Sequence, residues 1–253
     1  MLAKEWLNNA RGIMDKIEAT QIDNIKKASL IMADTIQSGR WVHTFGCGHA
    51  TIPVEEMYPR IGGFVGFHPM VELPLTYFTH ITGEMGIHQF LFLERAEGFG
   101  VEIMKAYNFD NKDTMWIFSH TGINNVNIDV ALESKKKGMK VIVYGSAAEA
   151  KGKNSRHSCG KTLFELADVV VDTCVPIVDA SVVLKNHYDK IGPVSTMGFI
   201  TTVWMTITTI AEILADRGVK LHIHPSHNVP GDTTARQRLD EALAEYKKRV
   251  AGV

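Results

Sequence analysis

Residues 115–144 read MWIFSHTGINNVNIDVALESKKKGMKVIVY, a segment whose pattern indicates the fold class. It opens with one apolar run, Met115–Phe118, and closes with a second, Val141–Tyr144. The segment between the two runs has helical periodicity from about Asn125 to Lys137, and Gly138 follows as the predicted C-terminal cap. Two short apolar runs joined by a helix predict a β-α-β unit, in which the two strands are parallel.

Short apolar runs of the same kind occur on both sides of this unit. Three more apolar runs end in small or polar residues: Trp41–Phe45, Phe64–Phe67 and Val169–Val171. Nearly continuous apolar strands that alternate with helices are typical of a parallel sheet covered on both faces. We therefore predict an α/β fold, a three-layer sandwich around a five-stranded parallel sheet of the flavodoxin or Rossmann-like type.

Long helical segments flank the predicted sheet. Apolar residues recur at helical spacing over residues 4–38 and again near residues 90–107. Residues 198–214 read GFITTVWMTITTIAEIL, in which five threonines and Glu212 interrupt the apolar sequence. Because a membrane span needs about 20 mostly apolar residues, we predict that this segment is a helix buried in a core or a subunit interface and that the protein does not cross a membrane.

The composition is ordinary for a globular protein and excludes several classes of partner. The chain has 253 residues, 45% hydrophobic and 22% charged, with a net charge of −1, which offers no electrostatic attraction to nucleic acid or anionic membrane. Three cysteines without a C-x-x-C pair, together with a charged N-terminal segment, predict a cytoplasmic protein without disulfides. We predict a single domain over residues 1–253, with a helical extension at 1–38, the sheet core at 39–196 and C-terminal helices at 197–253.

Two loops that follow predicted strands carry the residues expected to bind a ligand. In open parallel sheets, ligands bind beyond the carboxyl ends of the strands. The first loop, Gly46 to Ala50, has glycines that allow close backbone approach, and the second, Ser119 to Gly122, adds hydroxyl donors beside a helix N-terminus, which favours an anion. The predicted substrate-binding residues are Gly46, Gly48, His49, Ser119, His120, Thr121, Gly122 and Asn124.

The sequence predicts no cofactor and no metal. A dinucleotide fingerprint needs G-x-G-x-x-G, but the sixth position here is Thr51, and the chain has no Gly-Lys-Ser/Thr Walker loop. His222, His224 and His227 form H-x-H-x-x-H, but no fourth ligand stands at a clear spacing. Cys47 has no evident base partner, and we interpret it as a small loop residue rather than a nucleophile.

Several segments resemble the SIS (sugar isomerase) domain proteins, which include phosphoheptose isomerase and N-acetylmuramic acid 6-phosphate etherase. The resemblance covers nearly the whole chain and is closest to a bacterial subfamily of phosphosugar-isomerase-like proteins. It is carried by GCGHATIPVEEMYPRIGG (46–63), LERAEGFG (93–100), FSHTGINNVNIDVALESKKKGMKVIVYGS (118–146), SRHSCGKTLFELADVVVDTCVP (155–176) and KIGPVST (190–196). It implies that Ser119, Thr121 and Gly122 hold the phosphate of a phosphosugar, and that the protein is a homodimer or a higher homo-oligomer.

Two positions depart from what this resemblance implies. The subfamily usually has a hydroxyl where this chain has Ala50 and an arginine where it has Ile123. These differences remove one donor and one charge from the expected anion pocket, and a charge-assisted contact contributes roughly 1.5–3 kcal/mol. The substrate is therefore predicted to be a phosphosugar or another anionic sugar, such as a sulfosugar.

Isomerisation between an aldose and a ketose needs a base, for which a partly buried carboxylate is suitable. The resemblance implies Glu56, on the helix after the first loop, while the adjacent Glu55 would point about 100° away. Glu97 is similar in position to a second acid/base glutamate of the etherase, and His187 is a candidate for opening the sugar ring. Glu72, beside Pro74, is a weaker candidate.

Three functions are compatible with these residues. The leading prediction is an aldose–ketose isomerase that works through an enediol intermediate. A regulatory protein that binds a phosphosugar without turnover is the second, although the chain has no basic helix-turn-helix region. A sugar-phosphate ether lyase, with Glu56 and Glu97 as its acid/base pair, is the third.

Overall fold

The computed structural model describes residues 1–57, 59–76 and 86–251, and it contains the predicted parallel sheet. The five strands are β1 (Val42–Gly46), β2 (Phe67–Met70), β3 (Thr114–Phe118), β4 (Lys140–Gly145) and β5 (Val169–Asp172). They stand in the order β2-β1-β3-β4-β5, and every neighbouring pair is parallel. The predicted α/β class and five-stranded sheet are confirmed.

Helices cover both faces of the sheet. In the described chain they are α1 (Leu2–Gln37), α2 (Ile52–Met57), α3 (Gly86–Leu93), α4 (Phe99–Lys105), α5 (Asn125–Lys136), α6 (Ala147–Ala150), α7 (Leu163–Leu166), α8 (Ser195–Asp216) and α9 (Ala235–Val250). Successive residues of a strand point to opposite faces. On β3, Trp116 and Phe118 pack in the core formed with α1, α2 and α8, whereas Met115 and Ile117 pack in the core formed with α3, α4, α5 and α7. Two cores on the two faces of one sheet confirm the three-layer sandwich.

The apolar segment at 198–214 is a core helix, as predicted. It forms most of α8, which packs along α1. Phe199, Val203 and Ile210 on its inner face are buried. By length and composition alone α8 could cross a membrane, but its buried face belongs to the core shared with α1 and the sheet.

The prediction of a strand at Phe64–Phe67 is wrong by three residues, since β2 begins where that run ends. The preceding residues pair instead with a segment near the C-terminus. The backbone N–H of Val65 donates to the carbonyl of His222 at 3.1 Å. Apolar periodicity reports burial but not the partner of a strand, so this long-range pairing was not evident in the sequence.

The helical segment at 90–107 is interrupted rather than continuous. Between α3 and α4, Gly98 has a φ of 91°, a left-handed conformation that a regular helix does not contain. This break places Glu94 and Glu97 in a turn between two helices. The two carboxylates therefore do not share a helix face, and their side chains have different surroundings.

A small antiparallel hairpin precedes α8 and was not predicted. Its strands are β6 (Ala180–Val182) and β7 (Ile191–Pro193). Strands of three residues contain too few apolar positions to form a recognisable pattern in the sequence. The hairpin matters for the site because it brings Asp179, the residue before β6, next to the start of α8.

A buried ion cluster lies at the amino-terminal ends of β1 and β3. The carboxylate of Asp113 accepts two hydrogen bonds of 2.9 Å from Arg40 and one of 3.1 Å from the N–H of Trp41. His43 Nε2 lies 3.3 Å from the same carboxylate, although it is not aligned for a hydrogen bond. His43 Nδ1 in turn lies 3.0 Å from His68 Nδ1. These five residues are called the buried ion cluster below.

Candidate active site

The two predicted ligand loops meet at one edge of the sheet. β1 and β3 are parallel neighbours, and Gly46 pairs with Phe118 at their carboxyl ends. The loops that follow them therefore leave the sheet side by side. Between them is a cleft of about 210 Å³, called the cleft below.

Six of the eight predicted binding residues line the cleft: Gly48, His49, Ser119, His120, Thr121 and Asn124. The other two, Gly46 and Gly122, are not among its lining residues. The geometry thus brings together residues that are far apart in the sequence. Their roles in binding stay predictions.

The glycines of the first loop are required by the shape of the turn. A Cβ atom on Gly46 would lie 2.1 Å from the carbonyl oxygen of Ala50. Gly48 has a φ of 62°, and its carbonyl accepts a hydrogen bond of 2.7 Å from the Thr51 hydroxyl. Gly46 therefore permits the close approach of the Ala50 backbone in the turn, while Gly48 lines the cleft.

A Gly46→Ala substitution is expected to lower the free energy of unfolding by about 1–3 kcal/mol, the usual cost of overpacking a tight site. Urea titration would measure the change. The matched control is Gly12→Ala in α1, where an added Cβ meets no atom within 4 Å and alanine is the better helix former. Equal stability of the Gly46→Ala variant and the parent protein would contradict the close approach of the backbone.

Cys47, between the two glycines, is a buried thiol at the wall of the cleft. Burial, with a smaller contribution from Glu94, raises the pKa of Cys47 well above its ordinary value. The thiol is 3.6 Å from the side-chain oxygen of Asn127, to which it donates. A protonated thiol is a poor nucleophile, which is consistent with the interpretation of Cys47 as a loop residue.

The second loop is held in shape by its own serine. Ser119 Oγ accepts a hydrogen bond of 3.1 Å from the N–H of Gly122. Gly122 has a φ of 68°, and a Cβ there would lie 2.3 Å from the ring of Phe164. Gly122 is therefore a structural residue of the turn, whereas Ser119 and Thr121 face the cleft.

A Thr121→Val substitution is expected to weaken binding of an anionic sugar by about 10- to 100-fold. In the described part of the chain the Thr121 hydroxyl has no hydrogen-bond partner, so it is available to a ligand, and a hydrogen bond to a charged group contributes roughly 1.5–3 kcal/mol. Calorimetric titration would measure the change. Thr121→Ser, which keeps the hydroxyl, should bind like the parent protein, and unchanged affinity of the valine variant would exclude this loop as the anion site.

Glu94 is a cleft residue that sequence analysis missed. It is only 7% exposed and lines the cleft. Its Oε2 accepts a hydrogen bond of 2.7 Å from the side-chain amide of Asn124. Burial raises the pKa of Glu94, although the nearby Arg95 and Arg156 offset part of the increase. The available signal was an acidic residue directly after the apolar run Phe90–Leu93, but the resemblance to the etherase directed attention to Glu97.

His120 faces the cleft with both ring nitrogens free of hydrogen bonds in the described residues. Burial lowers the pKa of His120, and the neighbouring carboxylates Asp179 and Glu149 offset part of the decrease. The ring is therefore neutral at pH 7, with one nitrogen that donates and one that accepts. This arrangement suits hydrogen bonding to the carbonyl or hydroxyl groups of a sugar.

Asp179 is a second carboxylate of the cleft that was not predicted. It accepts hydrogen bonds from the N–H groups of Val194 (2.8 Å) and Ser195 (2.6 Å) and from the Ser195 hydroxyl (2.6 Å). These donors belong to the first turn of α8, where the helix dipole favours a negative charge. Asp179 thus fixes the start of α8 and places Ser195 at the cleft.

Glu56, the base implied by the resemblance, lies on α2 and is not among the residues that line the cleft. Its two carboxylate oxygens accept hydrogen bonds from Trp204 Nε1 and from Arg60, each of 3.2 Å. The neighbouring Glu55 is exposed. In this chain Glu56 therefore joins α2 to α8.

Three other candidates also lie outside the lining of the cleft. Glu97 is exposed, and its carboxylate accepts hydrogen bonds from the backbone and hydroxyl of Ser158. These bonds lower the pKa of Glu97, which is opposite to the change that a general base near neutral pH needs. His187 is exposed between β6 and β7. Glu72 is half-buried, and its burial raises its pKa, which a hydrogen bond from Tyr107 partly offsets.

The histidines of H-x-H-x-x-H do not form a ligand set. His222 and His224 flank Ile223, which pairs with Phe64 in an antiparallel bridge. Within residues 1–57, 59–76 and 86–251, no three His, Cys, Asp or Glu side chains come together as metal ligands.

Comparisons with known proteins agree with the fold. The sequence pattern of the SIS domain family matches residues 5–146. A UPF0309 protein of Thermoanaerobacter pseudethanolicus is 31% identical over 250 residues, which cover 97% of this chain and 98% of that protein. A UPF0309 protein of Oceanobacillus iheyensis is 30% identical over 247 residues, which cover 98% and 97%.

Solved structures give the same result for the architecture. A phosphoheptose isomerase from Francisella tularensis matches 83% of this chain and 96% of its own, with a TM-score of 0.54 and 12% identity. A phosphoheptose isomerase from Neisseria gonorrhoeae matches 82% of this chain and 94% of its own, with a TM-score of 0.51 and 13% identity. At such low identity, the likeness is one of fold.

Proposed function

Because this chain belongs to the SIS domain family, we propose that it is an aldose–ketose isomerase that acts on a phosphosugar, or another anionic sugar such as a sulfosugar, in the cleft. Family membership and the shared fold support a sugar-phosphate isomerase or binding protein. The reaction and its residues are our proposal. A cytoplasmic homodimer is proposed on the same family grounds, and light scattering of the purified protein tests the dimer.

The observation that carries the isomerase proposal is the buried carboxyl group of Glu94 in the wall of the cleft. A catalytic base works best when its pKa lies near the working pH, and burial moves the pKa of Glu94 in that direction. Neutral His120 and the hydroxyl of Thr121 line the same cleft. An enediol mechanism needs a base and a proton donor, for which Glu94 and His120 are proposed, and the second loop would position the substrate between them.

In the proposed reaction, the second loop binds the anionic group through Thr121 and Ser119. The Glu94 carboxylate removes the proton from the carbon beside the carbonyl, and the electron pair of that C–H bond forms the C=C bond of the enediol. The carbonyl oxygen takes a proton from His120. Glu94 then returns its proton to the former carbonyl carbon, the hydroxyl on the other carbon becomes the new carbonyl, and its proton restores His120. Substrate and product are isomers, so no co-reactant is needed.

Glu56 and Glu97 are the proton-transfer residues that the resemblance implies, and His187 is the ring-opening candidate from the sequence. Together they define the alternative mechanism. Support for Glu94 over Glu56 is positional, because Glu94 lines the cleft and the Glu56 carboxylate is bonded to Trp204. The ether-lyase alternative needs Glu56 and Glu97 as a pair. Neither of them lines the cleft.

The proposal is tested with the purified protein in two steps. A thermal-shift screen across sugar phosphates and sulfosugars identifies ligands, and each hit is then incubated in deuterium oxide and followed by NMR for exchange at C2. Exchange together with ketose formation is the expected result. Binding without exchange would overturn the isomerase proposal in favour of a regulatory sugar-binding protein, and loss of the ether substituent from a hit would identify a lyase.

A further inference from the structure

The walls of the cleft have the wrong charge for an anionic ligand. Among the described residues that line it, Glu94 and Asp179 are carboxylates, and none is a lysine or an arginine. Asp179 is neutralised in part by the N–H groups at the start of α8. An anion that enters the cleft therefore needs a cation from a segment beside the lining.

Residues 151–162 are the segment that lies against the second loop. The N–H of Arg156 donates to the carbonyl of Ile123 at 3.1 Å, and just beyond the segment the N–H of Leu163 donates to the carbonyl of Gly122 at 2.8 Å. These two bonds fix the backbone of Arg156 beside the second loop. The position of the Arg156 backbone is thus fixed by main-chain hydrogen bonds to the second loop.

The guanidinium group of Arg156 reaches the edge of the cleft. It donates to the side-chain oxygen of Asn124, which lines the cleft, and the amide nitrogen of Asn124 donates to Glu94 at 2.7 Å. One amide therefore bridges the cation and the buried carboxylate. The guanidinium is also close enough to act electrostatically on Glu94.

Arg156 retains binding capacity that Lys153, on the same segment, has lost. It is exposed, and no carboxylate in residues 1–57, 59–76 and 86–251 forms an ion pair with it. By contrast, Lys153 on the same segment is paired with Glu149. A guanidinium has five N–H donors in a planar fork that matches the oxygens of phosphate or sulfonate. Within the described ranges, the Arg156 guanidinium makes one hydrogen bond, to the neutral amide of Asn124.

We propose that Arg156 acts with Thr121 and Ser119 to recognise the anionic group of the substrate and holds it at the edge of the cleft beside Asn124. This inference rests on the proposed function and makes it more specific. Asn124 separates the bound anion from Glu94, so the reacting carbons lie deeper, between Glu94 and His120. The substrate class is then a sugar whose phosphate or sulfonate is several bonds away from its carbonyl carbon.

The test measures binding with fructose 6-phosphate, inorganic phosphate and inorganic sulfate as charged probes and with fructose as the neutral probe. Arg156→Gln is expected to raise the Kd of the charged probes by about 10- to 100-fold and to leave that of fructose unchanged. It should also reduce the dependence of binding on salt concentration. Arg156→Lys keeps the positive charge but loses the planar arrangement of donors. Its Kd for the charged probes should lie between the Kd of the parent protein and that of Arg156→Gln. Circular dichroism and melting temperature verify that the variants are folded.

Lys151→Gln is the matched control, because it removes one positive charge from the same exposed segment. It should bind the charged probes like the parent protein. If Lys151→Gln and Arg156→Gln weaken binding of the charged probes equally, the effect comes from the general charge of the segment and the inference is overturned. Unchanged binding of the charged probes by Arg156→Gln would also overturn it.

The same titrations separate this inference from the proposed function. If sugar phosphates from the screen bind in a way that depends on Arg156 but show no deuterium exchange at the carbon beside their carbonyl, the isomerase proposal ends and the anion site is kept. A parent protein that binds none of the charged probes, and no sugar phosphate or sulfosugar in the screen, would end both.

Discussion

A Glu94→Gln variant is expected to lose C2 proton exchange by at least about 100-fold, the loss typical of removing a general base. Glutamine cannot take the proton, but it has the same size and keeps an oxygen that can accept from the Asn124 amide. The fold should therefore be retained. The rate of deuterium incorporation at C2, measured by NMR on a ligand from the screen, gives the result directly.

The pH dependence of exchange follows from the same carboxyl group. Glu94 acts as a base only when it is ionised, and burial raises its pKa above the ordinary value, which is about 4.3. Exchange by the parent protein should therefore increase with pH through that raised pKa, and the increase should lie at a higher pH than for an exposed glutamate.

Glu56→Gln is the matched control, since it makes the same chemical change at the residue that the family resemblance implies. If Glu94 is the base, the Glu56→Gln variant keeps exchange close to that of the parent protein. The opposite result, in which the Glu56→Gln variant loses exchange and the Glu94→Gln variant keeps it, would reject the mechanism proposed for the cleft. Loss of exchange in both variants would show that both carboxylates are essential and would reject Glu94 as the sole base.

The second large effect is expected in the buried ion cluster. Asp113→Ala should lower the free energy of unfolding by about 3 kcal/mol at pH 7, because it leaves the charge of Arg40 and the buried N–H of Trp41 without their acceptor. Urea titration would measure the loss. Asp240→Ala removes a carboxylate from an exposed pair with Arg236 and should change stability by less than about 0.5 kcal/mol.

The acid limb of stability tests the same cluster. Burial alone would raise the pKa of Asp113, but contacts with His43 and Arg40, together with backbone N–H donors, lower it well below the usual value. A carboxylate with a lowered pKa stabilises the fold above its unfolded-state pKa, about 3.9, and this stabilisation is lost as the pH falls below that value. Asp113→Asn should therefore be less stable than the parent at pH 7, and its stability should fall less steeply below pH 4. Parallel acid limbs for the two proteins would contradict this account.

Local patterns were sufficient to predict the architecture. The β-α-β texture of residues 115–144 predicted β3, α5 and β4 to within about one residue at most ends. The convergence of the two loops followed from a general property of parallel sheets, because the carboxyl ends of neighbouring strands lie at one edge. Both inferences use only periodicity and the position of small residues, which a single sequence contains.

The chemical side chains of the cleft were less predictable because they depend on long-range contacts. Glu94 lies just after α3, in the turn where the predicted helical segment at 90–107 is interrupted. Asp179 reaches the cleft through a hairpin too short to leave a pattern. Glu56 was chosen because a glutamate at this position resembles the family. A resemblance predicts the type of residue but not its contacts, and here the hydrogen bond from Trp204 holds the Glu56 carboxylate outside the lining of the cleft.

The buried ion cluster and the cleft occupy opposite ends of the same two strands. The chain from Asp113 to Ser119, which contains β3, spans about 20 Å, at roughly 3.3 Å per residue. Substitutions more than 7–10 Å apart usually change stability independently. Substitutions in the two loops can therefore change the preferred sugar during evolution without weakening the buried ion cluster. New substrate specificity can arise in this way on an unchanged fold.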